Sequence, residues 1–192
     1  MQDITLINIS KRFGDKQVLS RINLTLREGE TTCLMAPSGA GKTTLLRILL
    51  GLLAPDEGRV EGLEGRKLAA VFQEDRLVET MDPVSNLRLF SPKLSRIAVK
   101  DALIAFGLED SLRQPVRELS GGMRRRVALL RALLTEWDIL ALDEPFKGLD
   151  AETKRTVIRR TREYTDGKTV LLVTHDEEEA EWMGSKVVGV WN

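Results

Sequence analysis

Apolar residues at the start of the chain alternate with polar ones. Ile4, Leu6 and Ile9, then Ile22, Leu24 and Leu26, lie between turn signals at Gly14-Asp15 and Glu28-Gly29-Glu30. This period of two predicts a pair of strands with one buried face. A short apolar run, Thr32-Cys33-Leu34-Met35, then ends in a loop of small residues from Ala36 to Gly41. The loop feeds Lys42 to Leu50, which reads as a helix closed by Gly51. Pro55-Asp56-Glu57-Gly58 reads as a turn, and Leu68 to Phe72 as a buried strand.

From Asp82 to Leu112 the pattern changes. Ile97, Leu103, Ile104 and Phe106 recur at helical spacing and no alternation is visible, which predicts a helical insert. After Ser120-Gly121-Gly122 a long helix is expected to run to about Thr135. Two continuously apolar strands follow, Ile139 to Leu142 and Thr169 to Val173, with a charged helix between them, and a last strand is expected from Lys186 to Trp191. Apolar strands alternating with helices point to an α/β fold with a mostly parallel sheet covered on both faces. The antiparallel start and a helical subdomain over about 82–135 are attachments to that core, giving one domain over residues 1–192.

Composition narrows the class. With 42% hydrophobic residues in 192, the chain can bury a sizeable core, which sets it apart from disordered proteins. Lys and Arg number 29, as do Asp and Glu, so no global basic field favours nucleic acid or anionic membrane. The single cysteine, Cys33, excludes an intrachain disulfide framework and fits a reducing compartment. Met1-Gln2-Asp3-Ile4 lacks the basic start and apolar core of a signal peptide. The longest apolar stretch, Leu45 to Ala54, is broken by Arg47 and is half a membrane span. A cytoplasmic protein is expected.

Three motifs carry chemistry. Ala36-Pro37-Ser38-Gly39-Ala40-Gly41-Lys42-Thr43 fits the P-loop pattern with Ala in place of its first Gly. Small residues let backbone N–H groups turn inward around a phosphate at the N-terminus of the following helix. Lys42 would reach the β and γ phosphates, and the Thr43 hydroxyl would ligate Mg²⁺. Asp143 and Glu144 end an apolar strand, so Asp143 would hold Mg²⁺ and Glu144 could polarise an attacking water. Ser120-Gly121-Gly122, before a helix carrying Arg124, Arg125, Arg126 and Arg131, offers N–H groups and a hydroxyl to an anion, although the same residues describe an ordinary helix cap. The arginines also fit a solvated face.

Taken in order, these motifs resemble those of the ATP-binding-cassette ATPase family over nearly the whole chain. The order is Phe13, the phosphate loop, Gln73 in Val71-Phe72-Gln73-Glu74, the signature Leu119 to Met123, Asp143-Glu144, the D-loop Gly148-Leu149-Asp150, and His175 in Val173-Thr174-His175-Asp176. Ala36 and Met123 depart from the family's usual Gly and Gln. The resemblance implies a P-loop ATPase that uses ATP and Mg²⁺, with Phe13 on the adenine and Ala36 to Thr44 around the phosphates. It implies Thr43, Gln73 and Asp143 at the metal, and Glu144, His175, Gln73 and Lys42 in catalysis. Two copies would sandwich ATP head to tail, with Ser120, Gly121, Gly122, Met123 and Asp150 acting on the partner's nucleotide.

The membrane permease would be a separate chain, with a solute-binding protein as a further partner, and the ATPase would sit on the inner face of the cell membrane. The segment from Val71 to Leu89 is similar to compact importers of the nitrate, sulfonate and thiamine-precursor kind. The chain's end shortly after its last strand leads us to expect no regulatory C-terminal domain. A soluble mechanical ATPase on DNA or ribosomes, and an ATP-binding regulator, are the alternatives. The first would carry a long coiled coil or two cassettes, and the second could dispense with Glu144.

Overall fold

The computed structural model of the protein describes residues 2–37 and 39–189. In chain order its main elements are β1 (Ile4–Phe13), β2 (Lys16–Leu26), β3 (Thr31–Met35), α1 (Lys42–Leu49), β4 (Glu57–Glu61) and β5 (Leu68–Val71). Then come α2 (Pro83–Phe90), α3 (Arg96–Ala105), α4 (Gly121–Leu133), β6 (Ile139–Asp143), α5 (Ala151–Thr165), β7 (Thr169–Thr174), α6 (Glu177–Trp182) and β8 (Lys186–Val188). The expected antiparallel start and parallel sheet are both present. Strands β2, β1 and β4 form an antiparallel sheet, and β5, β6, β7, β3 and β8, in that spatial order, a parallel one.

The continuous apolar character of β6 and β7 follows from this layering. Leu140 and Leu142 of β6, with Val170 and Leu172 of β7, pack into a core shared with α2 to α5. Their neighbours Ile139, Ala141, Leu171 and Val173 point the other way, into a core closed by α1 and the β1–β2 hairpin. Since side chains alternate across a strand, a strand covered on both faces must be apolar at every position.

Three expectations are corrected. Glu57-Gly58 is not a turn but the start of β4, paired with β1. Gly58 has φ 87°, and a Cβ there would lie 2.3 Å from the Ile7 carbonyl oxygen, so it serves close backbone approach beside an irregularity in β1. Strand β5 is only half-buried over Leu68 to Ala70 because it is the edge of its sheet. Helix α3 buries Val99, Ala102, Leu103 and Phe106, but Ile97 and Ile104 are exposed. The last two are seven residues apart, two turns along one face, and that face is turned to solvent. Of the expected strand to Trp191, β8 accounts for Lys186 to Val188, and Trp191 lies outside the described residues.

The helical segment is tied to the sheet at its margin. The Glu136 carboxylate accepts from Lys67, just before β5, at 2.6 Å and from Lys93, between α2 and α3, at 2.9 Å. These two ammonium groups hold its carboxyl down at about 2, from an ordinary 4.5. A depressed acid contributes stability above its unfolded pKa and loses it as pH falls through the folded one. Glu136→Gln should therefore melt below the wild type at pH 6 in low salt, with the gap closing as pH falls from 4.5 towards 2. A gap of constant size across that range would remove the ion pairs from the account.

Core burial sets a larger contrast. Leu140→Ala, between helices and sheet, should cost about 2–5 kcal/mol in urea unfolding. Ile104→Ala should stay within about 0.5 kcal/mol of the wild type. Equal losses would contradict the orientation of α3.

Candidate functional site

The parallel strands end in register along one edge. Met35 of β3 aligns with Thr174 of β7, and Val173 with Asp143 of β6. The phosphate loop, Gln73, Asp143-Glu144 and His175 follow those strand ends, at the edge where ligands bind in open parallel sheets. A cavity of about 500 Å³ opens there, with Gly39, Gly41, Lys42, Thr43 and Thr44 in its wall.

Gly39 and Gly41 take φ 84° and 92°, conformations that turn the chain tightly into α1. Gly41 is doubly constrained, since a Cβ would meet Leu19 Cδ2 at 2.8 Å. Ala36 is not among the residues of positive φ, so alanine fits there without strain. Lys42 is buried and its ammonium donates to the carbonyls of Ala36 and Pro37. Ala40 closes the loop with an N–H bond to Pro37. Ser38 lies outside the described residues.

Behind the loop, Thr43 Oγ1 donates to Asp143 Oδ2 at 2.7 Å, while the buried Oδ1 has no partner. Burial pushes the Asp143 carboxyl up, against the lowering effect of the Thr43 hydrogen bond, and the neighbouring Glu144 pushes it further. A buried carboxylate oxygen lacking a donor, beside a hydroxyl at a phosphate loop, suits a hard cation such as Mg²⁺.

Glu144 is also buried but holds a left-handed backbone at φ 49°. Such strain in a non-glycine residue persists only where the surroundings over-determine it. The Glu144 N–H donates to the Val173 carbonyl, and its carboxylate oxygens both lie 2.9 Å from His175 Nδ1. His175 is flanked by anchored residues. Thr174 Oγ1 donates to Glu179 at 2.6 Å, and Asp176 pairs with Lys154 at 2.8 Å while capping α6. Lys154 and the cap hold the Asp176 carboxyl below its ordinary value.

A second cavity, of about 520 Å³, shares Glu144 with the first and is lined by Ser120, Gly121, Gly122 and Asp150. Ser120 caps α4 by accepting from the Met123 N–H, and Asp150 caps α5 by accepting from Thr153. Met123 packs on the helical core, which explains an apolar residue there. Ser120 to Gly122 and the phosphate loop thus line different cavities of one chain, whereas Gln73, Glu144 and Lys147 line both. Phe13 is outside both walls, 52% exposed at the hairpin tip with Lys11 5.9 Å from its ring.

The sequence reading missed Lys16, Val18 and Lys147, which line the first cavity. No motif marks them. Arg125 does not lie on the solvated face that its run of arginines also fits: it is 3% exposed and donates to the carbonyls of Asp143, Glu144 and Pro145.

Known proteins are similar to this chain in sequence and in fold. The sequence pattern of the family described as ABC transporter matches residues 19–147. The chain is 41% identical to the aliphatic sulfonates import ATP-binding protein SsuB 3 of Rhodococcus jostii, over 96% of this chain and 70% of that protein. It is 40% identical to the Nod factor export ATP-binding protein I of Burkholderia lata, over 91% of this chain and 63% of that protein. Its fold matches a dimeric ATP-binding cassette in a post-hydrolysis state bound to ADP and Pi, with a TM-score of 0.85 and 28% identity, covering 97% of this chain and 94% of that one. The chain belongs to the ABC transporter family, as an ATP-binding and ATP-hydrolysing cassette.

Proposed function

We propose that two copies of this cassette close head to tail on two ATP molecules and energise solute import through a separate membrane permease. Each nucleotide would lie between the phosphate loop of one copy and Ser120 to Gly122 of the other. The observation that carries this reading is the division of the site: the phosphate loop and the signature residues line separate cavities of one chain, and Glu144 stands in the wall of both.

Lys42 would exchange its loop carbonyls for phosphate oxygens, and the amides of Gly39 to Thr44 would cradle the phosphates. Thr43 and Asp143 would hold Mg²⁺, with Gln73 beside them. When bound, the ion supplies positive charge to the phosphate oxygens. Glu144 would orient and deprotonate the attacking water, with His175 fixing its carboxylate and facing the terminal phosphate. Asp150 and Met123 would act across the dimer, and Phe13 would reach the adenine from the hairpin tip. Residues 82–135 would form a helical subdomain within a single domain, with Gln73 at its junction to the sheet.

Among the described residues no helix is long and apolar enough to cross a membrane. The permease would hold the cassette at the cytoplasmic face, with a solute-binding protein delivering cargo. The relative named for aliphatic sulfonates import supports import, and a small sulfonate as the first cargo to try. The relative named for export shows that a similar cassette also serves the opposite direction.

Glu144→Gln should keep ATP binding while losing about 10²–10⁴-fold in hydrolysis, the usual worth of a positioned base. With ATP and Mg²⁺ it should sediment as a dimer. Unchanged turnover would remove Glu144 from the chemistry, and monomers at every ATP concentration would remove the sandwich. For transport, the cassette and its permease in liposomes should take up a labelled alkanesulfonate only with ATP on the cassette side. ATP-driven efflux would reverse the direction, and ATP-independent flux would break the coupling.

A further inference from the structure

Helix α4 begins at Ser120, its cap, and one turn later presents Arg125 inward. The guanidinium is almost fully buried and carries five N–H donors in a rigid plane. It reaches two separate stretches of chain. Nη2 donates to the Asp143 carbonyl at 2.6 Å and the Glu144 carbonyl at 2.7 Å, and Nε to that of Pro145 at 3.2 Å. Nη1 donates to the Phe72 carbonyl and lies 3.3 Å from the Asp75 carboxylate, either side of Gln73.

One planar group therefore joins the signature helix, the end of β6 and the loop carrying Gln73. The Glu144 carbonyl it grips belongs to the residue with the left-handed backbone. Arg131, one and a half turns further along α4, holds the same loop from outside through the carbonyls of Asp75 and Arg76, at 2.9 and 2.6 Å. A buried cation is retained only if paired and fully bonded, and here main-chain carbonyls supply most of the compensation.

We propose that Arg125 is a positioning residue for hydrolysis: its fork locks Glu144, the Gln73 loop and the signature helix into one unit. A displacement of the Gln73 loop or of α4 would then be felt at the Glu144 carboxylate. This rests on the reading of Glu144 as the residue that activates water. The requirement is for the planar fork and not for the charge, because a lysine ammonium cannot span the carbonyls of Asp143 to Pro145 and that of Phe72 together.

The test uses the full chain, with Arg125→Lys and Arg125→Met compared with wild type and with Glu144→Gln. ATP affinity, KM, kcat and thermal unfolding are measured for each. Both Arg125 variants should bind ATP within about threefold of wild type, since the phosphate loop is untouched. Their kcat should fall at least about tenfold while KM moves less than about threefold, and lysine should not rescue. Wild-type kcat in Arg125→Lys would overturn the proposal. So would a kcat loss no larger than the loss of folded protein. If Arg125→Met does not fold, Arg125→Lys decides alone. Should Glu144→Gln itself turn over normally, the parent reading fails. If Glu144→Gln is inactive while both Arg125 variants work, only the present proposal fails.

Discussion

A strand apolar on both faces has to be covered on both faces, and most of this molecule follows from that requirement. Strands β6 and β7 send alternate side chains into two cores, so helices must lie on one side, and α1 with a second sheet on the other. Only parallel connections place those covering elements between the strands. Parallel strands in register then end at a common edge, with their loops gathered there. The phosphate loop, the acidic pair and His175, far apart in the chain, become neighbours because Met35, Asp143 and Thr174 are the ends of adjacent strands.

That edge is electrostatically unfinished. Lys42 is satisfied by carbonyls of its own loop, whereas Asp143 keeps a buried oxygen with no donor. Charged groups out of water demand partners, and a magnesium-bound polyphosphate offers one of each sign. Glu144 adds backbone strain at the same place, held by Val173 on one side and Arg125 on the other. Strain and orphaned atoms, costly elsewhere, mark where the fold is organised around a ligand.

The two cavities give the site its second property. A helix cap at Ser120 and a phosphate loop at Gly41 are both places where N–H groups lack partners, yet one chain turns them to different openings. In the proposed sandwich a nucleotide would contact both only by bridging two chains, and hydrolysis would then be linked to association. Gln73, which lines both cavities, would sit where that closure meets the rest of the molecule.

Much of this was readable in the sequence, wherever a residue's role depends on its neighbours in the chain. Alternation announced β1 and β2, continuous apolarity announced β6 and β7, and small residues before Lys42 announced the phosphate loop. Roles set by distant backbone were not readable. Gly58 has the same signature in a turn as against a neighbouring strand, and only the approach of Ile7 separates them. Ile97 and Ile104 keep helical spacing whichever face looks outward. Arg125 sits in a run of arginines, and its partners are main-chain carbonyls 18 to 53 residues away, which every residue type possesses. Local pattern was enough for most element types and for the chemistry of the loops, but not for β4 at Glu57–Glu61, which the chain's own turn signals concealed. Which face each helix buries, which backbone meets which side chain, and which residues line each cavity were settled only by folding, because they depend on contacts between segments distant in the chain.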